Sequence, residues 1–201
     1  MINIKVNGIT ELKQLKQLDG LNIDFAGFDF NEKSPWYIRG KIAGKELKAA
    51  DFDIRKVGVF ADATYDEIMK AINEYGIDVV QLQGNETAEL CERLSGETEV
   101  IKAFTISDAK VSIEELIQDY DEVCDYYLFV AGKPAEWKLL TKSRIEKPFF
   151  LGGGIGPDDN KKLKAFTHPD FFGVDINERF EKSVGVKDMV SILQFKQGFK
   201  K

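Results

Sequence analysis

The chain is poor in the residues that build metal and redox centres, with two cysteines and one histidine in 201 residues. Cys91 and Cys124 lie far apart, without CxxC spacing and without a histidine cluster beside them, which argues against a zinc motif or a disulfide framework. No metal and no cofactor is expected, and a reducing, cytoplasmic compartment is the plain reading. Clustered basic charge is missing too: the formal charge is −6, the pI is near 5.0, and Lys196, Lys200 and Lys201 read as a solvated helix end. A broad nucleic-acid-binding face is therefore not expected. No stretch approaches the ~20 apolar residues of a membrane span, and MINIKVNG lacks the basic start and apolar run of a signal peptide, so no membrane partner is expected.

What the chain does have is alternation. Strand-like runs occur at 2–6, 24–30, 56–60, 78–83, 99–104, 125–130, 148–152 and 171–176, each followed by a helix-like segment. Thr64, Asn85 and Ser112 read as N-caps, Gly20, Gly76 and Gly96 as C-terminal stops, and Pro134 and Pro157 as first-turn prolines. Several strands are apolar at nearly every position, as a parallel sheet buried on both faces requires. Eight such units, with no linker or low-complexity tract, predict a single-domain (β/α)₈ barrel over 1–201; an open doubly wound sheet would not call for eight.

In such barrels the chemistry sits at the strand C-terminal ends. The tips here are Asn7, Asp29, Phe60, Gln83, Phe104, Val130, the glycines 152–154, and Asp175 to Asn177. LGGGIGPDD follows strand seven, where glycine lets backbone approach a ligand closely, so Gly153 and Gly154, with Asn177 after strand eight, are candidate phosphate-binding residues. Asp158 and Asp159 could satisfy the same N–H groups from within. By the period of two along a strand, Lys5 shares a face with Asn7, Gln81 with Gln83, and Asp175 with Asn177. Ionised carboxylates in a barrel mouth are costly unless paired or hydrated, which makes Asp29 and Asp175 candidates for function. His168 precedes strand eight, at the stability face, and reads as structural.

These motifs, in order, resemble the phosphoribosylanthranilate isomerase family of tryptophan biosynthesis. KVNGIT resembles KxCGIT, GFDF with KSPWYI resembles GFxF with KSPRYV, and KVGVF, DVVQLQGNE, VIKAF, LGGGIGPDD and GVDIN with GVKD have counterparts along nearly the whole chain. The resemblance implies an intramolecular aldose-ketose rearrangement, with a cysteine base at the end of strand one and an aspartate acid at the end of strand six. At those positions this chain has Asn7 and Val130. Trp36 stands for the arginine of KSPR and Gln83 for the histidine of QLHG, and the loop after strand six is shorter by about eight residues.

These substitutions lead to an expectation about function. The barrel would bind a phosphorylated, sugar-like molecule through Lys5, Trp36, Gln81, Gln83 and the glycine run but would have lost the rearrangement. Two alternatives remain: a genuine isomerase in which Asp29, Asp175 or Lys5 has taken over proton transfer, and a non-catalytic interaction or regulatory barrel. A monomer and a small homo-oligomer are equally compatible with the sequence.

Overall fold

Strands apolar on both faces need cover on both sides, and the chain supplies it by closing its sheet on itself inside a sheath of helices. The structure, a computed structural model, describes residues 2–106, 112–132 and 136–199. In chain order the elements are β1 (Asn3–Val6), α1 (Leu12–Gly20), β2 (Phe25–Asp29), α2 (Gly44–Ala49), β3 (Arg55–Phe60), α3 (Tyr65–Tyr75), β4 (Val79–Leu82), α4 (Ala88–Ser95) and β5 (Glu99–Ile106). Then come α5 (Ile113–Ile117), β6 (Tyr126–Ala131), α6 (Trp137–Leu140), β7 (Phe149–Gly152), α7 (Asn160–Ala165), β8 (Phe171–Ile176), β9 (Glu181–Ser183), β10 (Val186–Lys187) and α8 (Met189–Gly198). Strands β1 to β8 pair in sequence order, all parallel, and β8 returns to β1: this is a closed (β/α)₈ barrel.

Local chemistry places the helices. Thr64 and Glu67 form a reciprocal capping box at α3, which ends on Gly76 in the left-handed region at φ 65°. Ser112 caps α5 as expected, but α4 starts later than the sequence suggests: Thr87, not Asn85, accepts the Leu90 N–H, while the Asn85 N–H is held by Asp62. Pro134 lies outside the described residues. The β9–β10 hairpin was not anticipated in EKSVGVK, whose polar residues and central Gly185 give no strand signal. No helix among the described residues is long and apolar enough to cross a membrane.

Two apolar layers result. The larger lies between barrel and helices and takes Phe60 and Phe104, so these two tips face the sheath and not the mouth. The smaller fills the barrel itself with Phe25, Val57, Val59, Val79, Ile101, Ala103, Leu128 and Phe150. Its floor is aromatic: Phe150 contacts Phe25 and Phe172 edge-on, with ring centroids 5.4 and 5.2 Å apart. His168 packs edge-on against Phe149 and accepts the Asp170 N–H through Nδ1, the structural role its position implies. Because the floor is dry and filled, polar side chains of the barrel are confined to the layer above it, toward the strand C-terminal ends.

Phe150 is fully buried in this floor. Phe150→Ala is expected to cost about 3–5 kcal/mol of unfolding free energy, with the m-value unchanged, in a denaturant titration.

Candidate active site

Strand register brings the first polar residues together. Lys5 of β1 lies directly opposite Asp175 of β8, at the seam where the barrel closes. Lys5 Nζ donates to Asp175 Oδ1 at 2.9 Å, with the lysine side chain 0% and the aspartate side chain 10% exposed. Asn7 Nδ2 donates to Asp175 Oδ2 at 3.1 Å. Desolvation pulls Lys5 below the usual lysine value against the attraction of Asp175 and Asp29. Burial likewise pushes Asp175 above the usual carboxylate value, opposed by Lys5, Lys187 and Asn7. Each partner is thus drawn toward its neutral form while 2.9 Å from the other, a setting suited to moving a proton.

The remaining candidates spread around the same mouth. Asp29 ends β2 nearly buried, with Oδ1 accepting the Asn31 N–H. Asn7 packs against Gly27, where an added Cβ would lie 1.7 Å from Asn7 Oδ1, so only glycine fits at that point of β2. Gln81 Nε2 donates to Gln83 Oε1 at 3.2 Å. Asn7 Oδ1 and Gln81 Oε1 are buried acceptors with no protein donor. Val130 packs against the barrel interior and cannot carry a proton. A cavity of about 820 Å³ opens on the β3–β6 side, reached by Gln83, Thr105, Tyr120 and Val130.

The glycine run after β7 is strained in the way that glycine permits. Gly153 and Gly154 have φ of 83° and 62°, and a Cβ on Gly153 would lie 2.3 Å from the Ala131 carbonyl oxygen. Asp159 accepts the Gly156 N–H at 2.9 Å, the internal satisfaction weighed from the sequence. Asp159 is buried, which opposes its charge, but Lys162, the Gly156 N–H and Arg179 outweigh this and hold it below the ordinary value. Arg179, from the loop after β8, crosses to the run and donates to Gly154 O at 2.8 Å and to Asp159 at 3.2 Å. The sequence reading missed it, since a lone arginine in NERFE carries no signal. Asn177 is turned elsewhere: its Oδ1 accepts from Lys187 Nζ at 2.5 Å.

Two further ion pairs shape the mouth, and neither was foreseen. Lys187 Nζ also donates to Glu181 Oε1 at 2.5 Å, and Trp36 Nε1 donates to the same oxygen at 2.8 Å. Across the barrel, Lys102 Nζ meets Glu86 Oε2 at 2.8 Å, while Glu86 Oε1 accepts the Asp62 and Gly84 N–H groups. This buried pair fastens the loops after β3 and β4 beneath Gln83. Among the described residues, no group of three or more His, Cys, Asp or Glu side chains could hold a metal.

Known proteins share this arrangement of strands and tips. The family model described as N-(5'phosphoribosyl)anthranilate (PRA) isomerase matches residues 4–198. The chain belongs to the phosphoribosylanthranilate isomerase family. The N-(5'-phosphoribosyl)anthranilate isomerase of Parabacteroides distasonis is 34% identical, over 96% of this chain and 91% of that protein. The crystal structure of the isomerase from Thermotoga maritima superposes with a TM-score of 0.87 at 27% identity, covering 100% and 99% of the two chains. A phosphoribosylanthranilate isomerase crystallised with reduced 1-(o-carboxyphenylamino)-1-deoxyribulose 5-phosphate gives a TM-score of 0.82 at 25% identity, over 100% and 99%. These matches overturn the expectation of a barrel that has lost the family's rearrangement: the likeness to named isomerases is unbroken from end to end. The reasoning from Asn7 and Val130 failed because it counted two absent side chains and not the carboxylates beside them.

Breaking the seam pair leaves Asp175 buried without its counter-ion. Lys5→Met is expected to lose about 3–5 kcal/mol of stability, and the double variant with Asp175→Leu distinctly less, in matched denaturant titrations.

Proposed function

We propose that this chain is a phosphoribosylanthranilate isomerase of tryptophan biosynthesis, carrying out the Amadori rearrangement of N-(5'-phosphoribosyl)anthranilate to its aminoketose phosphate. The observation that carries the reading is the family match across residues 4–198. The phosphorylated ligand of the solved relative supports a phosphorylated small molecule as the substrate class.

The reaction needs an acid at the ring oxygen and a base at C2. Protonation of the ring oxygen accompanies cleavage of its bond to C1, and the anilino nitrogen lone pair forms the C1 iminium. Removal of the C2 proton gives an enolamine, which becomes the ketone by regaining a proton at C1. Asp175 is assigned the acid, since burial favours its protonated form and Lys5 lies 2.9 Å away to return the proton. Asp29 is assigned the base, as the second carboxylate whose charge reaches Lys5 at this mouth. Gln81 Oε1 and Asn7 Oδ1 are acceptors for sugar hydroxyls. Gly153, Gly154 and the guanidinium of Arg179 would meet the phosphate, where flexible glycine backbone and a cation adjoin.

A steady-state assay with freshly generated phosphoribosylanthranilate tests the assignment. The unmodified chain is expected to turn over, and Asp175→Asn and Asp29→Asn each to lower kcat/KM by ~10²- to 10⁴-fold. Silence from the unmodified chain refutes the reading, whereas full activity in Asp29→Asn removes only that residue from the base role. The pH profile carries a sign: an acid works protonated, so activity attributable to Asp175 persists below its raised pKa and falls as pH climbs through it. That alkaline limb, displaced above the ordinary carboxylate value of 3.8, is expected to vanish in Asp175→Asn.

A further inference from the structure

The wall of the mouth between the exits of β8, β1 and β2 is built from a tryptophan and an ion pair already consumed within the protein. Trp36 sits in the loop after β2, half-buried, its indole N–H held by Glu181 at 2.8 Å. Its Cδ1 lies 2.8 Å, and Asn177 Oδ1 2.6 Å, from where a Cβ of Gly8 would stand, so the indole edge and the tip of β8 both press on the end of β1. Lys187 lies 6.0 Å from the Trp36 ring centroid, with its side chain 0% exposed and its ammonium donating to Glu181 and Asn177. Behind it the β9–β10 hairpin is fastened to α1: Thr10 and Gln14 both donate to Gly185 O, and the Lys187 N–H donates to Gln14 Oε1.

Charge on this wall is therefore spent inside the protein. The two ammonium groups that reach it, Lys5 and Lys187, are both 0% exposed and face Asp175, Glu181 and Asn177. What the wall offers a ligand is an indole whose polar handle is tied back and whose orientation is fixed. Such a surface recognises a flat ring by stacking and dispersion and is indifferent to an anionic substituent on that ring. We propose that Trp36, positioned by the Glu181–Lys187 pair, makes this isomerase a reader of the aryl ring and not of its carboxylate, so that N-(5'-phosphoribosyl)arylamines lacking the carboxylate are also substrates. The inference rests on the isomerase reading and specifies its substrate class. Trp36 is then the specificity-determining side chain and Lys187 a positioning residue.

The test compares two amines, anthranilate and aniline, each condensed with ribose 5-phosphate. The unmodified chain is expected to show kcat/KM values for the two within about tenfold, and Trp36→Arg, which adds a cation to the wall, to favour the anthranilate compound by at least a further ~10-fold. A preference of ~100-fold or more for the anthranilate compound in the unmodified chain overturns the inference, because a group worth that much must meet the carboxylate. Lys187→Met is expected to raise KM for both compounds alike with kcat nearly unchanged, and Lys187→Arg to restore it; a fall in kcat alone overturns the positioning role. Turnover of neither compound refutes the isomerase reading, and the inference is then decided by binding. Trp36 emission, isolated by subtracting the Trp36→Phe spectrum, is quenched by both compounds if the wall reads the ring. Quenching by the anthranilate compound alone overturns it, and that measurement also stands where Lys187→Met does not fold.

Discussion

The rest of this mouth depends on one buried ion pair. Lys5 and Asp175 face each other across the β1–β8 seam, where the first strand meets the last. Removing two charges from water is expensive, and their attraction offsets it only where geometry is good and the remaining polar atoms are satisfied. Asn7 helps by donating to the second carboxylate oxygen. Below the pair lies the dry floor of Phe25, Phe150 and Phe172, so the charges cannot sink further. Above it lies the open end of the barrel. The pair thus marks the boundary between the part of the barrel that stabilises and the part that reacts, and the same desolvation that makes it costly pulls both groups toward their neutral forms.

Much of this architecture was legible from the sequence because the strands are short, apolar and separated by capped helices. KVGVF and FFGVDI could be placed within a residue of β3 and β8, since a strand buried on both faces announces itself by composition. The period of two was enough to put Lys5 with Asn7 and Gln81 with Gln83. Helix starts were less legible where two capping residues compete: Asn85 and Thr87 are both suitable, and Asp62, from another loop, decides by taking the Asn85 N–H. The partnerships that shape the site were not legible at all. Glu86 with Lys102, Trp36 with Glu181 and Arg179 with Gly154 join loops 16, 145 and 25 residues apart, and no local pattern encodes them.

The same limit explains the failed reading of function. Identity at two positions, Asn7 and Val130, is a local observable, whereas the capacity of a mouth to handle protons belongs to the whole set of charges that share it. A carboxylate can be replaced in role by another across the same opening, because what the reaction requires is a proton at a place and not a residue at a number. The glycine run teaches the converse. Its composition suggested an anion cradle, yet Asp159 already takes one of the N–H groups, and it is Arg179, unremarkable in sequence, that adds the cation.

Three ion pairs of different exposure then divide the mouth by task. Lys5 with Asp175 lies at its base, deep enough for burial to move both pKa values. Lys102 with Glu86 and Lys187 with Glu181 are buried under the loops on opposite sides, where their charges are neutralised and their work is to hold backbone and indole still. Arg179 is half-exposed and retains N–H groups beyond those it spends on Gly154 and Asp159. Exposure therefore orders the cations by function: those without solvent contact fix the walls or tune a proton, and the one that keeps it can still meet an incoming anion. An anionic substrate is thus drawn to the β7–β8 side, which fixes which end of it must lie over Asp175 and leaves its ring to the wall of Trp36.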